Sequence, residues 1–116
     1  MIKYELTPQA KINFMDSLNL DDYQYIIKEG CLSDHILINK IDKPIHVKNS
    51  DLDINHTCDY IMILETAKTN MLGVAQYFTM FLFNKNEISD MVEKQNVFKE
   101  SEIKYMEYVF DEEDDE

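Results

Sequence analysis

A chain of 116 residues with 45% apolar content is one domain with enough material for a single core. Its 23 acidic side chains face 11 basic ones, all lysine, for a formal charge of -12. That balance repels bare nucleic acid and favours a cationic or neutral partner, while two glycines and two prolines exclude collagen-like and low-complexity chains.

In chain order, Thr7-Pro8 reads as a helix start, threonine capping and proline at the first helical position. Ala10, Phe14 and Leu18 then share a stripe with Met15 beside it, and Asn19 ends the segment. Asp21 and Asp22 suit the positive end of a second helix with Tyr23, Ile26 and Ile27 buried and Gly30 closing it. Residues 7–30 are therefore expected to form an N-terminal helical hairpin.

The period changes at His35. Ile36 and Ile38 alternate with Leu37 and Asn39, Asp42-Lys43-Pro44 is turn material, and Ile45 and Val47 alternate afterwards. This predicts a β-hairpin over 35–48, with Pro44 marking an edge strand. Residues 49–59 read as a polar loop. Tyr60 to Leu64, five apolar residues in a row, fits a buried third strand or the first part of a long helix, which periodicity does not separate; the strand is preferred because Thr66 to Asn70 then supplies its connection.

From Met71 to Phe83 the polar residues Gly73, Gln76 and Thr79 recur every three positions, which predicts a central helix. At 13 residues it is too short for a membrane span of about 20 residues, so no membrane association is expected. Glu87 starts a further helix with Ile88, Met91, Val92 and Gln95 on one face. Ser101 caps a last one bearing Ile103, Met106, Val109 and Phe110. The expected fold class is thus α+β: a helical hairpin, a small antiparallel β-hairpin or three-stranded sheet, and C-terminal helices. Residues 1–110 form the single globular domain, and 111–116, Asp-Glu-Glu-Asp-Asp-Glu, a disordered acidic tail.

Cys31 and Cys58 are too few for a disulfide framework, and Met1 to Leu6 lacks the apolar core of a secretory signal. Two reduced thiols in a cytoplasmic protein are expected, which leaves the Asn55-His56-Thr57 sequon unused. Asp51, Asp53 and Asn55 copy the opening of a calcium loop, but His56 stands where glycine is needed and Met62 where a bidentate glutamate is needed. His46, His56, Cys58 and Asp59 lack zinc-site spacing, and no glycine-rich turn accompanies Cys58 paired with His35 or His56. No cofactor, metal or catalytic residue is expected.

Charge remains the main functional clue. Removing six tail carboxylates from -12 leaves -6, so the body is acidic by itself. Carboxylates three or four apart on a helix lie at a spacing like that of nucleic-acid phosphates. The partner-binding residues expected on this reasoning are Glu87, Asp90, Glu93, Glu102 and Glu107, with Tyr105 and Tyr108 among them and Asp111, Glu112 and Glu113 from the tail. The expected function is a non-catalytic inhibitor of a basic protein, such as a nuclease or nucleic-acid-binding host factor. Its composition suits a nucleic-acid mimic of the viral counter-defence or anti-CRISPR kind. Alternatives are an immunity protein or antitoxin, and a homodimeric structural or assembly subunit.

Overall fold

The computed structural model describes residues 1–29, 34–40, 43–104 and 106. In order these form strand β1 (Ile2–Leu6), helix α1 (Pro8–Ser17), a 3-10 turn (Leu20–Asp22), β2 (Gln24–Glu29), β3 (Asp34–Asn39), β4 (Ile45–Asn49), β5 (Ile54–Cys58), β6 (Tyr60–Asn70), β7 (Gly73–Phe83), a second 3-10 turn (Lys85–Glu87) and α2 (Ile88–Gln95). Residues 100–104 are helical. Five strands make one antiparallel sheet in the order β1-β7-β6-β3-β2, and β4 and β5 make a separate two-stranded sheet.

The expected α+β class with a helical hairpin at one end and a helical region at the other is overturned: the protein is mostly β. The helix start at Thr7-Pro8 is present, with the Thr7 hydroxyl accepting the Ala10 N–H at 3.2 Å. The second half of the expected helical hairpin is not. Asp21 and Asp22 belong to one 3-10 turn, and Gln24–Glu29 is an edge strand paired with β3 from Gln24↔Asn39 to Glu29↔Asp34. Tyr25, Ile26 and Ile27 are aromatic or β-branched, which favours the pleated surface. Gly30, the expected helix cap, lies outside the described residues.

Both halves of the expected 35–48 hairpin are strands, but they do not pair with each other beyond a single bridge at Lys40↔Lys43. β3 pairs with β2 and β6, whereas β4 pairs with β5. The expected polar loop over 49–59 is shorter than the sequence implies. A turn at Ser50–Asp53, with Asp53 at φ 53°, reverses the chain, and Ile54–Cys58 returns as a strand.

The largest correction falls on residues 60–83. Tyr60–Leu64 is a strand, but it runs on through the expected connection to Asn70. The expected helix over Met71–Phe83 is strand β7. The two form one hairpin in continuous register, from Tyr60↔Phe83 to Asn70↔Gly73. The spacing of Gly73, Gln76 and Thr79 imitated a helical stripe by coincidence. At the base of the hairpin both faces are buried, so period-two alternation disappears into a continuous apolar run.

On one face Ile38, Ile61, Ile63, Met80 and Leu82 pack with Phe14 of α1 and with Ile45, Val47, Ile54 and Cys58 of the small sheet. On the other, Leu37, Tyr60, Met62, Phe81 and Phe83 pack with Ile88 and Met91 of α2 and with Phe98, Ile103 and Met106. Tyr60 and Phe83 stack across the strand pair, ring centroids 5.2 Å apart. Each such side chain contributes roughly 1.5–3 kcal/mol on burial. The helical elements are thus short covers laid on a central sheet.

Truncation should separate base from tip. Phe83→Ala should lower the unfolding free energy by about 3–5 kcal/mol in urea titration. Leu72→Ala, at a fully exposed position, should change it by less than about 0.5 kcal/mol. Similar losses at both positions would contradict this arrangement.

Candidate functional site

The expected acidic site divides into two groups. Tyr105, Glu107, Tyr108, Asp111, Glu112 and Glu113 lie outside the described residues. The other four are on the layer covering the second sheet face, and three of them are engaged within the protein. Glu87 accepts the Asn84 N–H at 3.0 Å through Oε1 and pairs with the Met1 ammonium at 2.8 Å through Oε2. The ammonium contact is the chief reason its carboxyl is held below the usual range.

Asp90 pairs with Lys94 at 3.1 Å, one helical turn along. Glu102 accepts the Lys99 N–H at 3.1 Å and pairs with Lys28 of β2 at 3.3 Å. The backbone hydrogen bond, followed by Lys28, lowers its pKa. Lys28 also donates to the Val97 carbonyl at 2.8 Å, so this contact ties the C-terminal segment to the sheet edge. Only Glu93 of the four is exposed without an ion-pair partner among the described residues.

The residues weighed as metal or nucleophile candidates are also dispersed. In the small sheet Cys58 is opposite Ile45 on the buried side, while His46 is opposite Thr57 on the exposed side and its Nδ1 lies 2.9 Å from the Thr57 hydroxyl. His35 Nδ1 accepts the Glu65 N–H at 3.4 Å. Asp59 accepts the Lys85 N–H at 2.9 Å and donates its own N–H to the Phe83 carbonyl, joining the start of β6 to the end of β7. Among the described residues no group of three or more His, Cys, Asp or Glu is gathered for a metal ion.

Two further features stand out, the first visible in the sequence as clusters of acids at Asp16, Asp21 and Asp22 and at Asp51, Asp53 and Asp59, the second not. The first is a set of unpaired acids on the layer covering the first face. Asp16 and Asp21 flank the end of α1, and Asp51 and Asp53 sit on the β4–β5 turn. All four are exposed and lack an ion-pair partner among the described residues.

The second is an arm. β3 flanks β6 only over Tyr60–Ile63, and β1 flanks β7 only over Leu6 to Ile2 opposite Phe78–Leu82. Beyond that, among the described residues, the hairpin continues as a two-stranded ribbon, Thr66↔Tyr77 to Asn70↔Gly73. Five residue pairs extend it by about 17 Å.

Met71 and Leu72 at the tip are 104% and 98% exposed, and Val74 is 67% exposed. Gly73 takes φ +128°, a conformation that L side chains rarely adopt. The signals in the sequence are that glycine, directly after a two-residue loop, and the β-branched and aromatic content on either side.

The chain matches no family model, no curated protein and no solved structure. Its functional reading therefore rests on its own surface. No helix among the described residues is long and apolar enough to cross a membrane.

Cys58 gives a direct check on the buried side of the small sheet. Burial, reinforced by the neighbouring Asp59 carboxylate and opposed by a Tyr60 backbone hydrogen bond, pushes its thiol from 9.0 up to about 12. In a Cys31→Ser chain Cys58 should resist a thiol reagent at about pH 8 until denaturant is added. Because the folded form holds the proton more tightly than the unfolded form, this group's contribution to stability is complete below pH 9 and declines as pH rises toward 12. Rapid modification of the native protein would contradict the burial.

Proposed function

We propose that the protein is a small, non-catalytic inhibitor that binds a basic, nucleic-acid-binding surface of a larger protein, setting carboxylates where that partner receives phosphates. The reading is carried by an asymmetry in how its charges are used. Lys28, Lys94 and Lys104 pair with Glu102, Asp90 and Glu100, while Lys11 and Lys40 lie over the rings of Phe78 and Tyr23 at 5.1 and 4.8 Å. Asp16, Asp21, Asp51, Asp53 and Glu93 are not matched in this way among the described residues. Five of the eleven lysines are thus paired or stacked within the protein, and with a formal charge of -12 the surface left over is predominantly acidic.

The site preferred on this geometry moves away from Glu87, Asp90 and Glu102, whose carboxylates already serve the fold. It moves toward Asp16, Asp21, Asp51 and Asp53, carried by α1, the following turn and the β4–β5 turn. Such charges act mainly on the rate of encounter, by steering.

Affinity capture followed by a salt titration and competition with duplex DNA tests the proposal. Binding to the captured partner should weaken at least about tenfold between roughly 50 and 200 mM salt, and DNA should displace the protein. The triple change Asp16→Asn, Asp51→Asn, Asp53→Asn should slow association more than it speeds dissociation. Asparagine tolerates the positive φ at position 53. Binding that is indifferent to salt and to DNA would overturn the proposal.

A further inference from the structure

The arm differs from the rest of the chain in charge. The longest acid-free stretch of the sequence runs from 66 to 86, and within residues 66–77 Lys68 is the sole charged residue. The sheet's outer strands carry charges of the kind that discourage edge pairing: Lys3 and Glu5 on β1, Lys28 and Glu29 on β2. The outer edge of β7 over Gly73–Gln76 has no flanking strand among the described residues, no charge and no proline. Next to it, the apolar residues Met71, Leu72 and Val74 stand in solvent.

We infer that this edge is a self-association element: β7 of the arm pairs antiparallel with β7 of a second copy, centred on Ala75. This inference is independent of the proposed binding to a basic protein. A two-fold axis at Ala75 sets Val74 opposite Gln76 of the second copy and covers the exposed Val74 on both sides, stopping short of Phe78, where Leu6 of β1 already occupies the edge. The outer edge of β6 is the poorer choice, because a two-fold axis there would draw two Lys68 residues toward each other.

Charge also favours a second copy at this position and disfavours one elsewhere. Two bodies of like charge repel wherever their acidic layers approach. With the axis at Ala75, the Phe78 positions where the two bodies begin are six residues apart along the paired strands, about 20 Å. That exceeds twice the screening length of about 8 Å at physiological salt. The acid-free ribbon joins the copies and holds the acidic bodies apart.

The test is sedimentation equilibrium of the full chain at roughly 50 and 500 mM salt, with two variants. A dimer is expected whose affinity is unchanged or tighter at high salt, opposite in sign to binding of a basic partner. Ala75→Lys should weaken it at least tenfold with thermal unfolding unchanged, and should leave heterologous partner binding intact. Ala75→Cys in a Cys31→Ser background should form an intermolecular disulfide faster than Val74→Cys or Gln76→Cys. A monomer at every concentration up to about 1 mM, a dimer indifferent to Ala75→Lys, or one that dissociates as salt rises would each overturn the inference. Loss of basic-partner binding with the dimer intact would count against the proposed function alone.

Discussion

The β6–β7 ladder is the constraint on which the rest of the structure depends. At its base every side chain from Tyr60 to Leu64 and from Thr79 to Phe83 is buried, and consecutive residues go to opposite cores. Neither core exists without the other, because a sheet with one apolar face left bare is not stable in water. The coverings follow from this. α1 and the β4–β5 sheet close one face, while α2 and the helical residues after it close the other. The Asp59 contacts with Phe83 and Lys85, and the Glu102–Lys28 pair, anchor those covers where the chain leaves the sheet.

The same ladder explains what was legible in the sequence and what was not. The start of α1 was readable because a cap is local: Thr7 and Pro8 suffice. The strand character of Ile36 to Ile38 and of Ile45 to Val47 was readable from alternation, but their partners were not, since pairing is set by distant residues. Met71–Phe83 misled because two buried faces erase alternation, and only Gly73 marked the turn. The second helix expected after Asp21 failed for a related reason: two acids at a helix start are a weak preference, overridden by the demand of β3 for a neighbour.

The candidate site was legible at the level of sign and not of position. Net charge is additive along the chain and can be counted. Whether a given carboxylate is available depends on which lysine the fold brings to it. Glu87, Asp90 and Glu102 were attractive on sequence spacing, yet each is held by a cation of the same chain. Asp21 reads in the sequence as a helix start and Asp51 and Asp53 as loop charges, so their availability on one covering layer is visible only in the fold. The fold thus separates two surfaces, an acidic one over the sheet and an almost uncharged arm that leaves it. The two partners proposed for them, a basic protein and a second copy, would engage by forces with opposite responses to salt.

The claim beneath all of this is that residues 60–83 form one hairpin, buried at the base and exposed at the tip. Native-state hydrogen exchange, at a concentration low enough to keep the chain monomeric, measures it directly. Ile61–Ile63 and Met80–Leu82 should exchange only through global unfolding, while Val74–Gln76 should open at a much smaller free energy. Uniform strong protection across 71–83, as a central helix would give, would contradict it.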